Sequence, residues 1–144
     1  MNPAPSDPDC PLPASLLSRI ELLTPNEHEA SQILGTSVSE GQDWHATAKQ
    51  LLAKGVGRVA ITLGELGCLI ADQTGTRAIP AHSVSPVDTT AAGDCFNGAI
   101  AVALAEGLHL DEAARFANCA AALSTTRAGA QPSLPRRAEV DALL

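Results

Sequence analysis

Between Val87 and Gly98 the chain reads VDTTAAGDCFNG, with two carboxylates, Asp88 and Asp94, set among threonines, small residues and a glycine just ahead of an apolar run. The pattern describes a loop entering a helix. The first amides of a helix lack intrahelical acceptors, and the macrodipole there favours negative charge. Gly93 has no Cβ, so another group can come close to that backbone. Two chemistries fit. In one, Asp94 and the threonines only cap the helix. In the other, a phosphoryl group rests on the amides around Ala92 and Gly93 while Asp94 accepts a proton from an attacking hydroxyl. The stretch alone does not decide between them.

Two further stretches carry candidate chemistry. In TPNEHE, Asn26 and Glu29 fall on one helix face just beyond a strand end. Polar groups at such an edge orient hydrated Mg²⁺, and they equally serve as a helix cap with acids offsetting the dipole. In ITLGELG, Ile61 to Gly67, a strand enters a turn with two glycines, either an ordinary turn or a place where backbone meets a ligand.

These residues need elements to hold them. At 144 residues the chain fits one domain and can bury roughly two-thirds of its unfolded surface. Hydrophobic residues make up 45% and aromatics 2%, so the core must be built from Ala, Val, Leu and Ile, as in helix layers on a sheet. The net charge of −7 argues against nucleic acid, whose phosphates require clustered Lys and Arg. Any bound phosphate must be held locally. No apolar run reaches the ~18 residues of a membrane span and no leader opens the chain, which makes the cytoplasm the expected compartment. Cys10, Cys68, Cys95 and Cys119 form no CxxC pair and the histidines have no metal-ligand rhythm, so buried, reduced thiols are expected.

Along the chain, the proline-rich MNPAPSDPDCPLP reads by itself as a linker or tail. A helical pattern begins at Ala14, followed by a short strand over Ile20 to Leu23 and a helix capped by Asn26 and ended by Gly35. Trp44 to Lys54 is helical, RVAITLG is a strand, and GCLIADQ and TRAIPA form a hairpin about Thr74 and Gly75. Gly93 to Glu106 and Asp111 to Thr126 are helices, and RRAEVDALL closes the chain as an amphipathic one. The order reads as α/β.

Together, NPAP, LLTPNEHEA, AITLGELGC, VDTTAAGDCFNGA and RFANCAAALSTTRAGAQPSLP resemble, in order, segments of the C-terminal half of the PfkB-type carbohydrate kinases. The resemblance covers nearly the whole chain, and the TRAGAQPS ending is similar to the ribokinase branch. It implies a three-layer αβα, Rossmann-like fold, of which residues 1–144 are the C-terminal nucleotide-binding and catalytic portion. It also implies transfer of the γ-phosphoryl of ATP to the 5-hydroxyl of D-ribose, with Asp94 as base facing the sugar and the Ala92 and Gly93 amides as anion hole.

By the same resemblance Asn26, Glu29, the turn Thr62, Leu63, Gly64, Glu65, Leu66 and Gly67, the pair Gly93 and Asp94, and Asn118 face the nucleotide, with Glu29 helping to organise Mg²⁺ through water. Taken by itself, Asn118 reads as a polar surface position on an alanine-rich helix. Asp88, Thr90, Ser124, Arg127, Gly129 and Ser133 match a K⁺ site, where Arg127 can offer only its carbonyl. Cys95 stands where many relatives carry threonine. The family's N-terminal half, which supplies most of the sugar site and a lid that mediates dimerisation, has no counterpart here, so the opening NPAP resembles the middle of a longer enzyme. The alternatives are a non-catalytic nucleotide-binding or partner-binding remnant, or a kinase for another pentose or a nucleoside.

Overall fold

Two apolar runs, Val59 to Ile61 and Leu69 to Ala71, are almost wholly withdrawn from water at every consecutive position. Successive strand residues point to opposite faces, so burial without alternation means that both faces of these strands are covered. In the computed structural model, which describes residues 1–4, 7 and 11–144, they are the second and third of four strands. The elements run α1 (Ala14–Leu17), β1 (Leu22–Leu23), α2 (Glu27–Leu34), α3 (Trp44–Ala53), β2 (Arg58–Thr62), a 3-10 turn (Gly64–Leu66), β3 (Cys68–Asp72) and β4 (Gly75–Ile79). There follow α4 (Ala92–Ala105), α5 (Leu110–Ser124), a second 3-10 turn (Gln131–Ser133) and α6 (Arg137–Asp141).

The sheet has the order β1-β2-β3-β4. β1 and β2 are parallel, with Leu22 opposite Arg58 and Leu23 opposite Val59. Parallel neighbours need a crossover, and α2 and α3 supply it. β2 and β3 are antiparallel, from Val59 opposite Ala71 to Thr62 opposite Cys68. The chain forms two compact units, Met1–Leu63 with Cys68–Ala78, and Gly64–Gly67 with Ile79–Leu144.

In the first unit Leu17, Leu23, Ala30, Ala48, Leu51, Val59, Ile61 and Leu69 form the core. Gly35 ends α2 in the left-handed conformation that closes many helices, with φ 73. In the second unit α4 and α5 bury Phe96, Ile100, Ala103, Ala113, Phe116, Ala117 and Ala120, and the small alanine side chains permit close helix approach. Arg137 of α6 grips both oxygens of Glu106, at 2.8 and 2.7 Å, and lies over the Phe116 ring at 4.6 Å.

Several expectations are corrected. The opening segment is not a free tail at its start, because the Met1 carbonyl accepts the Thr24 amide at 3.0 Å beside β1. The first strand covers only Leu22–Leu23, since the Ile20 amide is still turned back onto Leu17 at 3.1 Å. The hairpin turns on Gln73 and Thr74, with Gly75 already in β4. There Asp72 accepts both the amide and the hydroxyl of Thr74, at 2.7 and 2.6 Å, and Gly75 follows at φ 129. The last helix stops at Asp141. Cys95 and Cys119 are free and buried, as expected of reduced thiols; Cys68 is buried, and Cys10 lies outside the described residues. Among the described residues no helix is long and apolar enough to cross a membrane.

Candidate active site

The loop before α4 is tied down by one carbonyl and one carboxylate. The Thr125 carbonyl, at the C-terminal end of α5, accepts the amides of Val87 and Asp88 at 2.7 and 3.0 Å. The Asp88 carboxylate accepts the Thr90 amide at 2.9 Å through Oδ1 and the Gly129 amide at 2.8 Å through Oδ2. The Thr90 hydroxyl, then the amides of Gly129 and Thr90, hold the Asp88 carboxyl down at about 2. It is therefore a fixed negative charge joining two loops.

From there the chain turns sharply into α4. The Ala92 amide donates to the Thr89 carbonyl at 3.2 Å, and the first helical bond runs from Cys95 N to Ala91 O at 2.9 Å. Ala91 has φ 60, the single non-glycine residue in the left-handed region among the described residues. An L-residue there is strained, and the strain marks a backbone held by its surroundings. Between these bonds the amides of Gly93 and Asp94 have no backbone acceptor among the described residues, and a Cβ at Gly93 would meet nothing within 4 Å. No side chain caps the helix at Ala91. Asp94 remains an acid in the first turn of α4, where it also offsets the helix dipole. Of the two amides expected to form an anion hole, Gly93 stands open while Ala92 closes a turn.

The Asp94 side chain is exposed and stands at one end of an open cleft of about 570 Å³ that follows α4 past Gly98, Ala99 and Val102, with Leu134 and Pro135 also on its wall. Of the residues expected around K⁺, Asp88, Thr90 and Gly129 are brought together by direct bonds. The buried Ser124 and Ser133 hydroxyls donate to the carbonyls of Ala121 and Ala130, each at 2.7 Å. The Arg127 guanidinium is paired with Glu139, so any ligand from Arg127 must be its carbonyl. An ion here would be held by hard oxygens, with Asp88 as the nearby negative charge.

In the first unit Asn26 and Glu29 form a reciprocal capping box. The Asn26 side chain accepts the Glu29 amide at 2.9 Å, and the Glu29 carboxylate accepts the Asn26 amide at 2.8 Å. The local reading of TPNEHE is therefore realised, and it also fixes a buried carboxylate at a strand end. Thr62 joins them: it forms an isolated parallel bridge with Asn26, and its amide donates to the Pro25 carbonyl at 3.0 Å. Leu63 packs against the core of this unit. The structure brings Asn26, Glu29 and Thr62 to one place.

Gly64, Glu65, Leu66 and Gly67 belong to the second unit, where Glu65 and Leu66 are exposed and the Gly67 amide closes the turn onto Gly64 O at 3.1 Å. Asn118 is in the same unit. It is buried, not a surface position, and donates to the carbonyls of Ile79 at 3.0 Å and Pro80 at 3.1 Å. Sequence reasoning missed the part played by Thr125, whose contribution is a backbone carbonyl. The one signal was the run Ser124, Thr125, Thr126, whose hydroxyls each donate to a carbonyl three positions back and tighten the end of α5.

Comparison with known proteins gives one answer. The model of the pfkB family of carbohydrate kinases matches residues 1–137. The ribokinase of Haemophilus influenzae is 43% identical over 139 residues, covering 96% of this chain and 44% of its own length. The crystal structure of ribokinase from Thermotoga maritima superposes with a TM-score of 0.87 at 39% identity, over 99% of this chain and 47% of that one. The Arabidopsis thaliana ribokinase solved with ribose and ATP superposes with a TM-score of 0.84 at 36% identity, over 94% of this chain and 44% of that one. The chain therefore has the ribokinase-like α/β fold and spans a little under half the length of these relatives.

Proposed function

The chain belongs to the pfkB family of carbohydrate kinases, and on that premise we propose that it is the C-terminal, nucleotide-binding and catalytic portion of a kinase that phosphorylates D-ribose at its 5-hydroxyl with ATP. The observation that carries the reading is the start of α4. Two backbone amides, Gly93 and Asp94, stand without backbone acceptors among the described residues at a positive helix end, and the exposed Asp94 carboxylate belongs to the same turn.

The amides hold the phosphoryl group as its charge develops, and Gly93 leaves the space for it to approach. The Ala92 amide joins them only by giving up its bond to Thr89. The sugar oxygen bonds to the γ-phosphorus, the bond from phosphorus to the bridging oxygen breaks, and ADP leaves with that electron pair. The hydroxyl proton passes to the Asp94 carboxylate. A carboxylate is a weak base towards an alcohol, so this transfer comes late, once phosphorus has begun to bond the oxygen. Positioning and electrostatics supply most of the rate.

Asn26, Glu29, the Thr62–Gly67 segment and Asn118 would serve the nucleotide, and Glu29 would help to organise Mg²⁺ through water. Asp88 and Thr90 with Gly129, and the backbone near Ser124, Arg127 and Ser133, would hold K⁺. When bound, Mg²⁺ neutralises phosphate charge and K⁺ adds positive charge beside the loop that leads into α4. The proposal places the enzyme in the cytoplasm, as a homodimer when joined to a sugar-binding half.

The test is ADP formation by this chain assembled with the sugar-site half of a ribokinase, assayed with D-ribose and a panel of other pentoses and nucleosides. Ribose-dependent ADP supports the reading; a folded assembly that forms none contradicts it. The alternative reading is nucleotide binding without turnover. ATP binding to the chain by calorimetry, with no turnover in the assembly, would support that reading instead.

A further inference from the structure

We infer that Glu139 is a positioning residue for the loop after α5: it holds the Arg127 guanidinium and cancels the one charge of that loop that opposes a bound K⁺, a role that rests on the K⁺ reading above. Between α5 and the second 3-10 turn, residues 125–130 carry a single charged side chain, Arg127. Two positions on, the Gly129 amide donates to the Asp88 carboxylate at 2.8 Å. For a cation on the Arg127 carbonyl beside Asp88, the guanidinium is a like charge tethered to the same residue. Their separation is on the order of a Debye length, where repulsion between unit charges is still felt. A guanidinium left unpaired could also answer Asp88 as a counter-ion, in the place of K⁺.

Glu139 is fixed at both of its oxygens. Oε2 accepts the Arg136 amide at 2.7 Å, the capping bond of α6, and Oε1 accepts from Arg127 Nη2. The helix that carries it is itself anchored. Val140 is 2% exposed, its carbonyl accepts the Cys119 thiol at 3.7 Å, and Arg137 spends its charge on Glu106 and, at 2.8 Å, on Asp141. Arg137 therefore does not compete for Glu139. The Arg127 and Glu139 side chains are 40% and 38% exposed, and an ion pair so open to water contributes little to folding. Its effect lies in the local charge balance. With both partners present the pair is neutral, and Asp88 is left to set the field that a cation meets.

The experiment uses the full chain at neutral pH with K⁺ alone as probe, KCl replacing choline chloride at constant ionic strength, and follows the Thr90 and Gly129 amide resonances, whose N–H groups rest on Asp88. Glu139→Gln keeps the side-chain shape and the capping bond but leaves Arg127 uncompensated, and should weaken K⁺ binding about threefold. Arg127→Met leaves Glu139 uncompensated and should tighten K⁺ binding by a similar factor. The double variant should return to about the parent affinity. All these differences should shrink as choline chloride is raised, because salt screens exposed charges. A merely structural brace gives another pattern, with both single variants weaker, the double no better and salt without effect. That pattern, or parent affinity in both single variants, would overturn the inference. If Glu139→Gln proves unfolded by circular dichroism, Arg127→Met decides alone, since K⁺ binding no tighter than the parent's overturns it. Absence of any K⁺-dependent shift in the unsubstituted chain would overturn the K⁺ reading and this inference with it. A parent chain that binds K⁺, beside single variants that do not differ in opposite directions, overturns this inference alone.

Discussion

The carboxylate of Asp88 accepts the Gly129 amide at 2.8 Å, across 41 positions of sequence. With its other oxygen on the Thr90 amide, it makes the loop before α4 and the loop after α5 one unit. A carboxylate can do this only while ionised, which gives the junction a defined acid limit. The Asp88 carboxyl is held at about 2 against an ordinary 3.8. The folded value is the lower one, so the stabilisation is complete above the unfolded value and is lost as pH falls through the folded one. The Thr90 and Gly129 amide resonances should therefore hold steady down to about pH 3 and shift with a midpoint at about pH 2. Asp88→Asn, which removes the titrating group, should abolish that transition in an NMR pH titration.

Ala91 occupies the left-handed region at φ 60. Glycine adopts that conformation without a Cβ clash, so Ala91→Gly should raise stability by about 1 kcal/mol, read as the midpoint of urea unfolding. Ala91→Val, with a β-branched side chain in the same place, should lower it. A loss of stability in Ala91→Gly would mean that the turn into α4 is not strained.

Asn26 has two candidate duties, as helix cap and as nucleotide ligand, and one substitution separates them. Serine caps a helix about as well as asparagine, whereas alanine loses about 1 kcal/mol. Asn26→Ser should keep the thermal midpoint near that of the parent chain but weaken Mg²⁺-ADP binding, while Asn26→Ala should lower both. Equal ADP affinity in all three proteins would leave Asn26 as a cap alone.

Much of this architecture is legible in the residues. The helix from Glu27 to Leu34 announces itself by a capping asparagine, early acids and a closing glycine, and β2 and β3 by short apolar runs between turn residues. The chemistry of VDTTAAGD is legible as a motif but not as a geometry. Nothing in two successive alanines says that the first adopts a left-handed conformation, because alanine disfavours it and only the surrounding bonds enforce it. Nor could the spacing show that the Ala92 amide is engaged by Thr89 while that of Gly93 is not. Asn118 was opaque for another reason. In a helix of alanines no residue contrast marks which face is buried, and its partners are backbone carbonyls almost forty positions away, which leave no side-chain signature. The hairpin turn was displaced by one residue because Gly75, with φ 129, leaves the turn rather than centring it, while the Asp72 carboxylate organises Thr74 and Arg77.

The central claim is that Asp94 removes the sugar proton at the mouth of α4. Its most direct test is the rate of ribose-dependent ADP formation by Asp94→Asn in the chain assembled with a sugar-site half, beside ADP affinity measured on the same protein. Asparagine keeps the shape of the side chain and the helix start but cannot accept the proton. The account predicts turnover lower by about a hundredfold to ten-thousandfold with ADP affinity retained. Turnover equal to that of the parent assembly would contradict it.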